Sequence, residues 1–105
     1  MITGVCVKGK ITQGDTYPIP VYVTVDGSIA TPENISGLKL RIGKFTAWWP
    51  NGKLENENGV WLFPLTAEQS KRLDPGYNEV QARVSVGKYD VGTAVTKVYV
   101  GKSLI

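Results

Sequence analysis

The chain is poor in the side chains that carry out catalysis. It has no His and a single Cys among its 105 residues, which removes the main components of triads and zinc sites. Glu55 and Glu57 are the one close pair of carboxylates, and two carboxylates are sufficient for glycoside hydrolysis. They lie in an Asn-rich segment with no predicted cleft around them, which a substrate site requires. The sequence therefore predicts a protein that is not an enzyme and holds no metal or cofactor.

The adjacent residues Trp48 and Trp49 are the strongest candidates for binding. In a strand, successive side chains point to opposite faces, so a two-layer fold buries at most one of the two indoles. Three interpretations of the second indole stay open: it covers the turn at Asn51 and Gly52, it contacts another protein, or it stacks on a sugar. The remaining candidate contact residues are the outward-facing Lys39, Arg41, Lys97 and Tyr99.

Charge and hydropathy exclude several classes of partner. The net charge is +3 with a pI near 9.1, and the cations are scattered, so nucleic-acid binding is not expected. No apolar run is long enough to span a bilayer, and the start of the chain lacks a basic and then apolar signal sequence. The lone Cys6, in a Val-Cys-Val context, is predicted to be a small buried residue. We expect a protein without a signal peptide that contacts no membrane.

Period-2 alternation predicts most of the secondary structure. In residues 37–42 the apolar Leu38, Leu40 and Ile42 alternate with cations, and in residues 79–86 apolar residues alternate with polar or charged ones. Segments 28–36, 53–59 and 88–92 are predicted as a polar connection, a loop or loose hairpin, and a turn. About seven strands and one short helical turn near residues 66–73 predict an all-β fold. It is a single antiparallel Ig-like or Greek-key β-sandwich spanning residues 1–105.

Pro18 and Pro20 constrain the strand that contains them. Both lack the backbone N–H that a ladder needs, and they lie two residues apart, so they leave the same side of the strand without donors. We therefore predict an edge strand at this point, or a stretch that switches between sheets.

Two further motifs are predicted to shape the segment that follows residue 65. Thr66 and Gln69 have the spacing of a capping box, in which each side chain bonds the backbone N–H of the other residue. The bend at residues 74–77 ends the helical turn with Gly76 and Tyr77. This Tyr is predicted to act as a structural latch, as in the tyrosine corner of Greek-key sandwiches.

Several segments in order resemble the small N-terminal β-sandwich of phage baseplate upper proteins: Ile11–Thr16, Ile35–Ile42, Gly59–Gln69 and Asp74–Tyr77. The most specific part is the Leu-Thr-Ala-Glu-Gln segment followed by the Pro-Gly-Tyr bend. Similar stand-alone domains occur among prophage tail genes. The resemblance implies a virion structural module and carries over no catalytic residues.

These observations lead to an expectation about function. The chain is expected to be a phage or prophage tail or baseplate component, made in the bacterial cytoplasm and incorporated into the virion. Its expected partners are further copies of itself or other tail proteins. One alternative is a carbohydrate-binding or adhesion module that uses exposed Trp and Tyr on cell-wall polysaccharide. Another is a head-decoration protein.

Overall fold

The computed structural model describes residues 1–105 and is built from strands and one short helix. The strands are β1 (Thr3–Val7), β2 (Lys10–Thr12), β3 (Ile19–Val25), β4 (Ser28–Ile29), β5 (Gly37–Ile42), β6 (Phe45–Trp49), β7 (Glu55–Glu57), β8 (Val60–Phe63), β9 (Gly76–Val86), β10 (Tyr89–Gly92) and β11 (Thr96–Gly101). The helix α1 is Ala67–Lys71. The predicted all-β fold with one short helix is confirmed. No helix is long and apolar enough to cross a membrane.

The strands form two sheets. In the five-stranded sheet the order is β1-β3-β8-β7, with β4 paired to β3. In the six-stranded sheet the order is β2-β11-β9-β5-β6, with β10 paired to β9. When β1 and β2 are taken as one interrupted first strand, six further strands complete a seven-stranded sandwich, namely β3, β5, β7, β8, β9 and β11, and β6 is an additional strand beside β5. This is the strand arrangement of an immunoglobulin-like sandwich.

The chain changes sheets at its first strand rather than at the prolines. β1 pairs with β3 in one sheet, and β2 pairs with β11 in the other. The β2–β11 pair is parallel, whereas all the other strand pairs are antiparallel as predicted. The first strand thus changes partner along its length. Its first part, β1, runs antiparallel to β3, and its second part, β2, runs parallel to β11.

Pro18 and Pro20 do not mark an edge strand, because β3 lies between β1 and β8. The β1 ladder, however, ends at the pair of Val7 and Val21. Pro20 therefore has a strand partner only on the β8 side, where it is opposite Leu62. The predicted unpaired side exists locally, at the end of a central strand.

One hydrophobic cluster of 21 buried residues lies between the sheets. Most of its members are inward-facing strand residues, as the period-2 pattern predicts. The connecting segments add five more: Ala30, Ile35, Leu54, Leu65 and Leu73. Trp61 is 0% exposed, and its indole Nε1 donates a hydrogen bond to the backbone oxygen of Ala30 at 3.0 Å. The only polar group of the largest core side chain thus has a hydrogen-bond partner, which is a backbone carbonyl in the segment before β5.

Three short strands occur where connections were predicted. Segment 53–59 contains β7, which forms a hairpin with β8 through Asn58 and Gly59, both with positive φ. Segment 28–36 contains β4, and segment 88–92 contains β10. Short polar strands such as these carry little hydrophobic alternation, so they form because an adjacent strand offers a free edge.

Cys6 is exposed, so the prediction that it is buried is wrong. Val5, one residue earlier, is in the core. Cys6 therefore points to the outer side of β1, opposite Tyr22. The two flanking valines suggested a buried run, but β1 has only one buried face.

The helix begins as the sequence predicts. Thr66 Oγ1 accepts from the backbone N–H of Gln69, and Gln69 Oε1 accepts from the backbone N–H of Thr66, both at 3.1 Å. Ser70 is buried, and its Oγ accepts from Gly14 N–H and donates to the oxygen of Asp15. These bonds hold α1 against the segment between β2 and β3.

Tyr77 is not the latch of the 74–77 bend. It is 73% exposed, and its ring packs edge-on against Tyr99 with centroids 5.4 Å apart. The buried neighbour Asn78 forms the latch instead, since its Nδ2 donates to the oxygen of Asp74 at 2.8 Å. Gly76 takes φ +102°, a conformation that favours glycine. The bend decides which residues of β9 face the core, so that residue 78 points inward and residue 77 points outward.

Candidate binding surface

The outer face of the six-stranded sheet collects most of the candidate contact residues. Lys39 of β5 lies directly opposite Trp48 of β6 on one side and opposite Arg83 of β9 on the other. The next row along the same strands consists of Thr46, Arg41 and Gln81. Cross-strand neighbours on one face lie about 5 Å apart. The three strands therefore present an aromatic and cationic patch to solvent.

The two adjacent Trp residues have different environments, as the alternation predicts. Trp49 faces inward and packs on Trp61, with ring centroids 5.4 Å apart. Trp48 faces outward and is 49% exposed. The Cδ1 atom of Trp48 approaches Gly52 so closely that a Cβ there would lie 2.7 Å away. The ring therefore rests on the turn at Gly52 with one side and offers the other to solvent.

The cations of this face are only partly neutralised within the molecule. Arg83 Nε forms an ion pair with Asp90 Oδ1 at 3.2 Å. Lys39 and Arg41 form no ion pair, and Arg41 Nε donates to the backbone oxygen of Gly43 at 2.7 Å. Like charges directly opposite each other on a sheet repel, and Lys39 and Arg83 are such a pair. The patch is therefore suited to an anionic group.

Open depressions lie on both sides of Trp48. One has a volume of about 620 Å³, and its lining includes Lys39, Trp48, Arg83 and Asp90. The other, of about 610 Å³, lies beyond β6, and its lining includes Trp48 and Leu65. Trp48 thus lies between two depressions and contributes to the lining of both.

The other end of the same face carries a second aromatic group. Tyr99 of β11 is opposite Tyr77 of β9, and Lys97 is opposite Glu79.

Of the six predicted contact residues, five share this face, and Trp49 is the exception. Arg83 and Asp90 were not among the sequence candidates. The outward position of Arg83 in the alternating β9 was a usable signal, whereas nothing in the sequence brings Asp90 to it.

The side chains that could take part in catalysis or metal binding do not come together in one place. Glu55 and Glu57 are exposed on β7, at the edge of the five-stranded sheet. No group of three or more His, Cys, Asp or Glu side chains comes together. The surface described above therefore offers recognition through an aromatic ring and unpaired cations.

Comparison with known proteins identifies the fold. No family model and no curated protein matches the chain. Among solved structures, it is similar to part of the endo-β-1,4-mannanase from Thermotoga petrophila, with 14% sequence identity and a TM-score of 0.59. The match covers 98% of this chain and 20% of that enzyme. The chain thus spans about a fifth of the mannanase, and at this identity the likeness concerns the fold alone.

Proposed function

We propose that the chain is a non-enzymatic assembly module that binds another protein through the outer face of its six-stranded sheet. In line with the resemblance to baseplate upper proteins, we propose that it is a tail or baseplate component of a phage or prophage. The observation that carries this proposal is the half-exposed Trp48 beside the unpaired cation Lys39.

The chemistry of this patch is that of a protein interface. Trp and Arg are the residues most enriched among the few that carry most of the binding energy of an interface. Trp48 supplies a large apolar surface whose burial would exclude water around Lys39 and Arg83. A broad partner that covers Trp48 would bury the ring together with the cations beside it.

The proposal is tested by sedimentation with tail particles. Particles released by induction of the prophage are purified on a density gradient together with the tagged chain, and Trp48→Ala is compared with Tyr89→Ala. Tyr89 is also exposed, and it lies one residue from Asp90 on β10, so its side chain points away from the face that carries Asp90. We expect the wild type and Tyr89→Ala to co-sediment with the particles and Trp48→Ala to be lost. A wild-type chain that never co-sediments contradicts the proposal.

A carbohydrate-binding module is the second candidate, because the same face also exposes the Tyr77 and Tyr99 pair. Aromatic rings that stand on an open face can stack on sugar rings. Titration with cell-wall polysaccharide, followed by intrinsic Trp fluorescence, separates the two functions. Saturable quenching that disappears in Trp48→Ala favours the carbohydrate module, whereas no change favours the assembly module.

A further inference from the structure

We infer that the partner of this face is a second copy of the chain, bound head to tail through the outer side of its strands β7 and β8. This inference rests on the proposed function, since it names the partner of the same surface. It predicts that copies associate in one direction, each contributing two different surfaces.

The first surface is a group of four side chains that we call the basic quartet. It consists of Lys39 and Arg41 on β5 with Trp48 and Thr46 directly opposite them on β6. The two cations are two residues apart on one strand, which places them about 6.6 Å apart along it. The strands themselves lie about 4.8 Å apart.

The second surface, the acidic quartet, lies on the outer side of the other sheet. It consists of Glu55 and Glu57 on β7 with Leu62 and Val60 directly opposite them on β8. The two carboxylates are exposed and form no ion pair. Leu62 and Val60 remain partly accessible, because their neighbours Trp61 and Phe63 are the residues that face the core.

The two quartets match in both dimensions. Each has two like charges spaced by two residues on one strand and two uncharged side chains on the adjacent strand. When the quartets face each other, both cations meet carboxylates, and Trp48 meets an aliphatic side chain. Only one of the two relative strand directions gives this match, because rotating one copy by 180° about the normal to the contact also exchanges its two strands. In the matching orientation the contact places each unpaired charge beside one of opposite sign.

The dimensions of the molecule allow an interface of ordinary size. The chain measures 45 × 24 × 21 Å, so a broad face of the sandwich is larger than the roughly 800 Å² that each partner buries in a standard interface. The two quartets lie on opposite sheets. A contact between different surfaces leaves one free copy of each, so association continues until a ring closes or a filament grows.

Charge reversal on one surface at a time tests the inference. The variants are Lys39→Glu with Arg41→Glu, and Glu55→Lys with Glu57→Lys, and their matched control is Lys88→Glu with Lys102→Glu on exposed positions elsewhere. Molar mass is measured by light scattering over a range of protein concentration at low salt, and circular dichroism establishes that each variant is folded.

We expect the mass of the wild type and of the control to rise with concentration and to fall when salt is added. Each reversed variant is expected to stay at 11.4 kDa, since loss of two exposed ion pairs weakens association by about tenfold or more. In an equimolar mixture the two intact surfaces can pair, and the two reversed surfaces, one now acidic on β5 and the other now basic on β7, are complementary as well. The mixture is therefore expected to regain association that rises with concentration, although neither reversed variant associates alone.

Three results would overturn the inference. They are a wild type that is monomeric at every concentration, reversed variants that each associate alone as the wild type does, and a mixture of the two reversed variants that stays monomeric. If the chain is monomeric but co-sediments with tail particles through Trp48, the head-to-tail contact fails and the proposed function stands. If co-sedimentation fails as well, both fail.

Discussion

Replacement of Trp61 by Phe is the perturbation that best tests how the core is assembled. The indole is 0% exposed, donates from Nε1 to the oxygen of Ala30 at 3.0 Å, and packs against Trp49. Phe keeps an aromatic ring at this position but removes the donor and part of the volume. The backbone oxygen of the buried Ala30 then loses the partner that Trp61 supplies.

The cost follows from these two losses. A buried polar group left without its partner costs about 1–3 kcal/mol, and the reduced volume adds a smaller packing cost. We expect Trp61→Phe to lower the free energy of unfolding by about 2–3 kcal/mol. For a chain of this length that corresponds to a fall in Tm of about 10–20 °C. The variant should still fold, since domains of this size are stable by about 5–15 kcal/mol.

Trp48→Phe is the matched control, because it makes the same chemical change at a half-exposed position. Its effect on the free energy of unfolding should lie within about 0.5 kcal/mol of zero. Both variants are measured by urea denaturation followed by far-UV circular dichroism, which does not depend on the number of Trp residues. Equal midpoints for the two variants would refute the assignment of Trp61 to the core and of Trp48 to the surface.

Three further predictions concern local features. Thr66→Ala should cost about 1 kcal/mol in urea denaturation because it removes the helix cap, and a change below about 0.3 kcal/mol would contradict that role. Asn78→Ala should lower the free energy of unfolding by about 1–3 kcal/mol, because backbone oxygens of the bend lose their donor. Tyr77→Ala should lower it by less than about 0.5 kcal/mol. A larger effect of Tyr77→Ala than of Asn78→Ala would show that Tyr77 is the latch. Cys6 should react with a thiol reagent at the rate of a free exposed thiol in the folded protein, and protection that is released only by urea would show that it is buried.

The candidate surface was partly predictable from local pattern. Lys39 and Arg41 were placed on an outer face because they alternate with three inward apolar residues. The pattern also required Trp48 and Trp49 to face opposite sides, but did not decide which of them is exposed. That choice follows from the pairing of β6 with β5, where Ala47 lies opposite the buried Leu40.

Two of the errors of prediction share one cause. Tyr77 was assigned the role that Asn78 has, and Cys6 was assigned to the core, although each residue lies one position from a buried one. A shift of one residue along a strand moves a side chain to the opposite face. Local sequence identifies the alternation, whereas its phase is set by pairing with strands that are distant along the chain.

By itself, the sequence determined that this chain forms strands with one capped helical turn, because alternation and capping act between residues that are neighbours along the chain. Tertiary structure alone decided that the first strand is shared between two sheets, that Trp48 stands beside Lys39 and Arg83, and that Glu55 and Glu57 lie on the opposite sheet. These arrangements depend on strand order and register, which are fixed by contacts between segments far apart in sequence.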